Sequence, residues 1–217
     1  MADGIDSDRR DALALTPVSR ETEDRLATIV ALLRKWQATI NLVAPSTLPQ
    51  VWRRHVADSL QLVPLAGAAR RWVDLGSGAG FPGLVVAAAL ADDPAADITL
   101  VESDTRKAAF LREAARIAEL PVTVLPNRIE QVAAAIAPGV EIVSARALAP
   151  LPRLLDLAAP LLAQGATGLF LKGQDVDNEL TESSKSWILD VDIEHSRTDP
   201  HGRVVIIRGA ERRPATP

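Results

Sequence analysis

The segment Trp72-Val73-Asp74-Leu75-Gly76-Ser77-Gly78-Ala79-Gly80-Phe81-Pro82-Gly83 constrains this chain more than any other. Val73 and Leu75 are apolar residues with strand propensity. Glycine then occupies every second position from 76 to 80. Without a Cβ, these residues let the backbone turn sharply and approach a ligand closely, and their conformational entropy makes them costly unless the turn is used. Pro82 suits a first helical turn, where its missing N–H is no loss. The apolar run Leu84–Leu90 continues as a buried helix. The reading is strand, glycine loop, helix, a unit that offers N–H groups at the helix start to a nucleotide or nucleoside.

The rest of the chain supplies a sheet for this unit. Strands are expected at Ile98–Val101, Val122–Leu125, Glu141–Ser144 and Gly168–Leu171, with helices between them near 105–119, 129–137 and 150–162. Pro160 should bend or end the last of these. Alternating βα units imply a parallel sheet with helices on both faces. Two final strands, near Val191–His195 and Arg203–Arg208, flank Asp199-Pro200-His201-Gly202 and read as an antiparallel hairpin. An acidic helix precedes them. Upstream, Ser19 can cap a helix to about Thr39, with Leu26, Ile29, Val30, Leu33 and Trp36 at helical spacing. Asn41–Pro45 ends it, and a second helix is expected from Thr47-Leu48-Pro49, carrying Val51, Trp52, Val56 and Leu60. The resulting division is a tail without regular structure over 1–18, a helical extension over 19–65, the α/β domain over 66–210 and a C-terminal tail over 211–217.

In such a sheet the ligand lies over the C-terminal strand ends. That rule gathers Asp74, Glu102, Ile129, Glu130, Arg146 and Lys172. Gly78-Ala79-Gly80-Phe81-Pro82-Gly83 fits the dinucleotide pattern G-x-G-x-x-G by letter, which alone is weak. Asp74-x-Gly76-x-Gly78-x-Gly80 also resembles motif I of the class I S-adenosylmethionine (SAM)-dependent methyltransferases. That resemblance implies that the Asp74 carboxylate faces the ammonium of SAM. A pyrophosphate at this loop would be repelled by the same carboxylate, which favours SAM over NAD. Glu102 can accept both ribose hydroxyl protons of an adenosine, in either cofactor, and Ile129 can wall an adenine. Glu130 opens a helix, where the dipole alone would favour an acid. Arg146 follows a buried strand with no acid beside it in sequence. A guanidinium there suits a carboxylate, phosphate or base edge.

Further blocks narrow the family. Asn41-Leu42-Val43-Ala44, Arg54-His55-Val56-Ala57-Asp58-Ser59-Leu60, Asp74 to Gly83, Glu102-Ser103, Arg146-Ala147-Leu148-Ala149-Pro150-Leu151 and Leu171-Lys172-Gly173 together resemble the bacterial RsmG (GidB) family. The resemblance spans about 25–208. It implies a class I SAM-dependent methyltransferase fold, Rossmann-like, and methyl transfer to guanine N7 of 16S ribosomal RNA. It carries SAM contacts to Gly76, Phe81, Ile129, Glu130 and Arg146, and the ribose acid to Glu102. His55 and Asp58, one turn apart, would help to shape the pocket. Many members have Thr where Val43 stands and Asp where Glu102 stands. The first difference removes a hydroxyl; the second keeps the carboxylate with a longer reach.

The implied reaction needs no general base, because N7 of neutral guanine carries a lone pair and no proton. Rate would come from alignment and from electrostatics tuned to a moving positive charge. Two other readings remain open at this point: an NAD-dependent oxidoreductase and a non-catalytic SAM-sensing or RNA-binding module. The first would require a catalytic acid near the strand ends, yet the chain has no Tyr, and His55, His195 and His201 lie outside the βα core.

Charge and composition bear on partners. Net charge is −4, but residues 1–25 carry 7 acids against 4 bases and residues 175–199 carry 8 against 2, so the remainder is positive. Arg53-Arg54 and Arg106-Lys107, with Lys172, are the candidate RNA contacts. A weakly attracting enzyme without a separate RNA-binding domain should prefer a guanine already presented by the 30S subunit over naked RNA. With no cysteine and scattered histidines, no metal site is expected. No apolar run reaches membrane-spanning length, and a cytoplasmic monomer is the expectation.

Overall fold

The computed structural model describes residues 2–214. One seven-stranded sheet has the order β3-β2-β1-β4-β5-β7-β6. Its strands are β1 (Arg71–Leu75), β2 (Asp97–Val101), β3 (Val122–Leu125), β4 (Ile142–Arg146), β5 (Thr167–Lys172), β6 (Trp187–His195) and β7 (Arg203–Arg212). The first five are mutually parallel; β7 pairs antiparallel with β5, and β6 with β7. This is the expected sheet with its C-terminal hairpin. β6 begins four residues earlier than the sequence suggested, and β7 runs on to Arg212, so the supposed tail from 211 is partly strand. Residues 215–217 of that tail lie outside the described residues, as does Met1.

Period-two alternation separates two apolar layers. Val73 and Leu75 of β1 face one layer, with α7 (Ile129–Ile136) and α8 (Leu151–Leu162). Trp72 faces the other, with α2 (Arg20–Gln37), α5 (Gly83–Leu90) and α6 (Thr105–Ile117). Pro160 sits inside α8, which ends two residues later. In α2, Ser19 caps the start by accepting from Thr22 N at 3.1 Å. The stripe Leu26, Ile29, Leu33 is almost wholly buried, and each such side chain contributes about 2–3 kcal/mol through burial. The acidic helix α9 (Val176–Ser183) precedes the hairpin.

The N-terminal region departs from expectation twice. Residues 2–15, expected to lack regular structure, form helix α1 (Ala2–Leu15). Its apolar contribution to the core is small, from Ala12 with Leu13 packed beside it, and polar contacts do the rest. The Asp8 carboxylate accepts from the backbone N–H groups of Trp52 (2.9 Å) and Arg53 (3.3 Å), and the Arg9 guanidinium lies 5.1 Å from the Trp52 ring centre. The second departure is the helix expected from Thr47. It is broken into a 3₁₀ segment (Pro45–Gln50), a wider π-helical segment (Trp52–Ala57) and the short helices α3 (Asp58–Leu60) and α4 (Leu62–Leu65). Pro49 has no N–H to continue a ladder, and Asp8 caps the restart from 44 residues away. Such π segments recur at functional sites.

Candidate active site

The chain reverses direction across the sheet between β1 and β4, and a cavity of about 900 Å³ opens over their C-terminal ends. The glycine loop, Glu102, Ile129 and Glu130 line one side. Arg54, His55, Asp58 and the β6–β7 connection line the other, with Arg146 between.

Each glycine of the loop has its own reason. Gly76, Gly78 and Gly80 all have φ between +55° and +85°, a region that side chains rarely tolerate. A Cβ at Gly76 would lie 2.5 Å from Leu148 Cδ1, and one at Gly80 only 2.3 Å from Leu84 Cδ1. At Gly78 the nearest neighbour would be Gly76 O at 3.8 Å. So Gly76 and Gly80 serve packing, while Gly78 leaves open space at the cavity wall. Gly83 lets α5 approach the sheet, since a Cβ there would meet Leu100 Cδ2 at 2.2 Å.

The N–H groups expected to stand free at this loop are largely taken. Gly78 N–H donates to Glu102 Oε2 (2.8 Å), Gly80 N–H to Ser77 O (2.7 Å) and Gly83 N–H to Asp74 Oδ2 (3.3 Å). Glu102 also accepts from Asp104 N–H at 2.7 Å, so its carboxylate is fixed at the wall with lone pairs remaining.

Asp74 does not take the position expected of it. It is fully buried and does not line the cavity. Its Oδ1 accepts from Ser144 Oγ (2.7 Å), which accepts in turn from Trp72 Nε1 (2.8 Å). Burial pushes its pKa up to about 6. The geometry makes it a brace joining β1, β4 and α5, in place of a direct acceptor for an ammonium.

Arg146 has the partner that its neighbours in sequence do not supply. Its Nη1 donates to Arg54 O (3.0 Å) and, at 3.5 Å, to Asp58 Oδ2. Its guanidinium carbon lies 5.2 Å from the Phe81 ring centre. The next residue, Ala147, has φ +51° and turns the chain so that Leu148 packs against Gly76. A left-handed alanine is strained, and strain of this kind gathers at functional sites.

His55 stacks on Phe81, ring centres 5.0 Å apart and planes 20° from parallel. Burial, with Arg146 and Arg54 nearby, pushes its pKa down to about 3, so it is neutral. Thr47 Oγ1 gives its one proton to Ala44 O (2.8 Å). His55 Nε2, 2.8 Å from that hydroxyl, is therefore the protonated nitrogen. Nδ1 carries the lone pair and has no hydrogen-bond partner among the described residues.

Among the other anticipated residues, Ile129 is buried at the wall, while Glu130 is half exposed and pairs with Arg153 at 2.5 Å. Arg53 lies off the cavity, its Nε donating to Thr198 O (3.3 Å). Arg54 lines the cavity and pairs with Asp199 (3.0 Å). Lys107 reaches the cavity; Arg106 borders a smaller hollow of about 230 Å³ beside Gln37–Asn41. Lys172 is largely internal, paired with Glu179 (2.6 Å) and donating to Ala149 O (3.0 Å). Thr47, Arg128, Leu148 and Thr198 also line the cavity and were not singled out from sequence. Arg128 could have been noticed as the cation before Ile129; Thr198 has no local signal.

The model of the GidB family, rRNA small subunit methyltransferase G, matches residues 22–209. Proteins of that name from Bradyrhizobium sp. strains BTAi1 and ORS 278 are 55% and 56% identical to this chain. The alignments cover 96% and 95% of it, and 94% and 93% of theirs. In fold, the chain resembles the O-methyltransferase TomG from Streptomyces achromogenes, solved in complex with SAM. The TM-score is 0.59 at 13% identity, over 96% of this chain and 98% of that one. With its class I methyltransferase sheet and a family match over most of its length, this chain belongs to the GidB family of small-subunit rRNA methyltransferases.

Proposed function

We propose that this protein transfers a methyl group from SAM to N7 of one guanine in 16S rRNA, acting on the 30S subunit as a cytoplasmic monomer. The observation that carries the reading is the division of the cavity: a nucleoside-type wall on one side, and on the other a neutral imidazole and a guanidinium with its counter-ion.

The residues present fit SAM. Open space at Gly78 leaves room for a ligand against the loop backbone, Glu102 can take ribose hydroxyls, and Ile129 offers an apolar face. Bound there, SAM supplies an electrophilic methyl on a sulfonium. Phe81 is held between the loop and His55, and Arg146 lies beside it, paired to Asp58. These side chains suit a reaction in which charge moves and no proton is removed. His55 is a poor base at about pKa 3, and Asp58 is committed to Arg146, Gln61 and Thr198. Guanine N7 asks for no base, since its lone pair attacks directly. The work left to the protein is alignment and a fixed electrostatic frame.

The test is methylation of 30S subunits from a deletion strain, beside the same RNA after deproteinisation. N7 methylation labilises the glycosidic bond, so borohydride and aniline should cut the product at one site. An uncut chain would refute the N7 assignment. Equal or faster methylation of naked RNA would refute the 30S preference.

A further inference from the structure

The connection between β6 and β7 is joined to the helical extension by buried polar contacts. Asp58 Oδ1 accepts from Thr198 Oγ1 (2.8 Å) and from Gln61 Nε2 (2.9 Å). Gln61 Oε1 accepts from Arg197 N–H (3.0 Å). Arg53 and Arg54 add the contacts to Thr198 O and Asp199 already described. Thr198 and Gln61 are only 4% and 3% exposed, so their contacts, unlike the more open Arg54–Asp199 pair, are not surface pairs that water could replace. Breaking one would leave a buried group unsatisfied.

The consequence falls on Arg146. One carboxylate oxygen of Asp58 is occupied by two donors, which leaves Oδ2 for the guanidinium. The contact is single and long, 3.5 Å through Nη1, where an unrestrained aspartate would favour a two-pronged pair. Among the described residues, the side-chain hydrogen bonds of Arg146 all use Nη1. Of the five N–H donors of a guanidinium, those on Nε and Nη2 remain for a ligand.

We infer that Thr198, with Gln61, is a positioning residue for methyl transfer. It holds Asp58 to a single-point contact and so keeps Arg146 beside Phe81 with donors to spare. A residue of the C-terminal hairpin thereby sets the electrostatics of a site whose cofactor wall is built from β1 and β2. The inference rests on the methyl-transfer reading above.

The experiment compares wild type, Thr198→Val, Thr198→Ala and Thr198→Ser. It measures tritium transfer from SAM to 30S subunits, SAM-binding stoichiometry by calorimetry, and Tm. Thr198→Val keeps the shape and loses the hydroxyl; Thr198→Ala loses it without placing a new methyl near a carboxylate. The expected result is a fall in kcat of about tenfold or more in both, the scale of a lost hydrogen bond to a charged group. KM for SAM should change less than about threefold and stoichiometry should stay full, because the cofactor wall is untouched. Thr198→Ser should recover most of kcat. Unchanged kcat in a folded Thr198→Val or Thr198→Ala variant overturns the inference. So does a fall that tracks lost SAM-binding stoichiometry, or one that Ser does not rescue, since those mark a merely structural role. Absence of transfer by wild type would overturn the methyl-transfer reading itself, and this inference with it.

Discussion

The two sides of the cavity are built by different means. The wall of Gly76–Phe81 and Glu102 is a backbone structure: left-handed glycines, and N–H groups paired within the loop or to the next strand end. The opposite wall is made of side chains. Arg54, Asp58, Thr198 and Asp199, with Gln61 behind them, come from chain segments up to 145 residues apart and meet through hydrogen bonds and ion pairs. A backbone cradle suits a ligand that must always be gripped in one way. A side-chain wall can be adjusted one residue at a time, which suits the part of a site that sets what is methylated and how fast. Perturbing the first wall should therefore abolish binding, and perturbing the second should slow the reaction with binding intact.

The largest effect should come from Gly78→Val. Its side chain would enter the space beside the loop, and SAM binding by calorimetry should disappear. Binding at wild-type affinity would show that the cavity is used differently. Arg146→Ala comes next, with about 2–4 kcal/mol added to the barrier, roughly a 30- to 1,000-fold fall in single-turnover rate. SAM affinity should fall far less, and Lys should not substitute, since it lacks the planar fork. If both walls behaved alike, Arg146→Ala would lose SAM binding in parallel with rate.

The third prediction concerns pH. His55 has a folded pKa near 3, below its unfolded value of 6.5. Its stabilising neutrality is fully present above 6.5 and is lost as pH falls, amounting to about 3 kcal/mol by pH 4. Asp74 acts in the opposite sense. Its folded pKa near 6 exceeds the unfolded 3.8, so the unfolded chain releases its proton first and stability falls as pH rises from 3.8 to 6. Urea titrations of wild type and His55→Gln between pH 4 and 6.5 separate the two. The variant should lose the acid-side decline and keep the Asp74 trend. An unchanged acid decline would mean that His55 is not the group responsible. The smallest effect is expected for Asp8→Ala, about 1 kcal/mol of stability, the scale of a lost helix cap. A loss of that size with normal SAM affinity would confine α1 to supporting the side-chain wall.

The same division explains what the sequence disclosed. The glycine loop, Glu102, Ile129 and five parallel strands were legible because each is specified locally, by residue type and period within a few positions. Arg146 stood out as a cation past a buried strand without an acid beside it, and the RsmG-like blocks added His55 and Asp58 by resemblance. Asp74 stands out in the sequence, but its letter does not say whether its carboxylate faces the cavity or Ser144, and it faces Ser144. Helix α1 escapes a periodicity reading because Asp8 and Arg9 hold it down, with only Ala12 and Leu13 reaching the apolar core. Lys172 reads as a candidate RNA contact because nothing local announces Glu179, and Thr198 gives no signal because its partner lies 140 residues earlier.

That separation also has a temporal meaning. The ribosome makes a chain from its N-terminus, and early segments can organise before later ones emerge. Every residue of the cavity wall from Gly76 to Glu130 is synthesised well before Thr198, which follows Asp58 by 140 positions. Until Thr198 and β7 are made, Asp58 lacks the hydroxyl that restrains it and β5 lacks its antiparallel partner. The arrangement around Asp58 and Arg146 is thus among the last parts of the molecule to be completed as the chain is made.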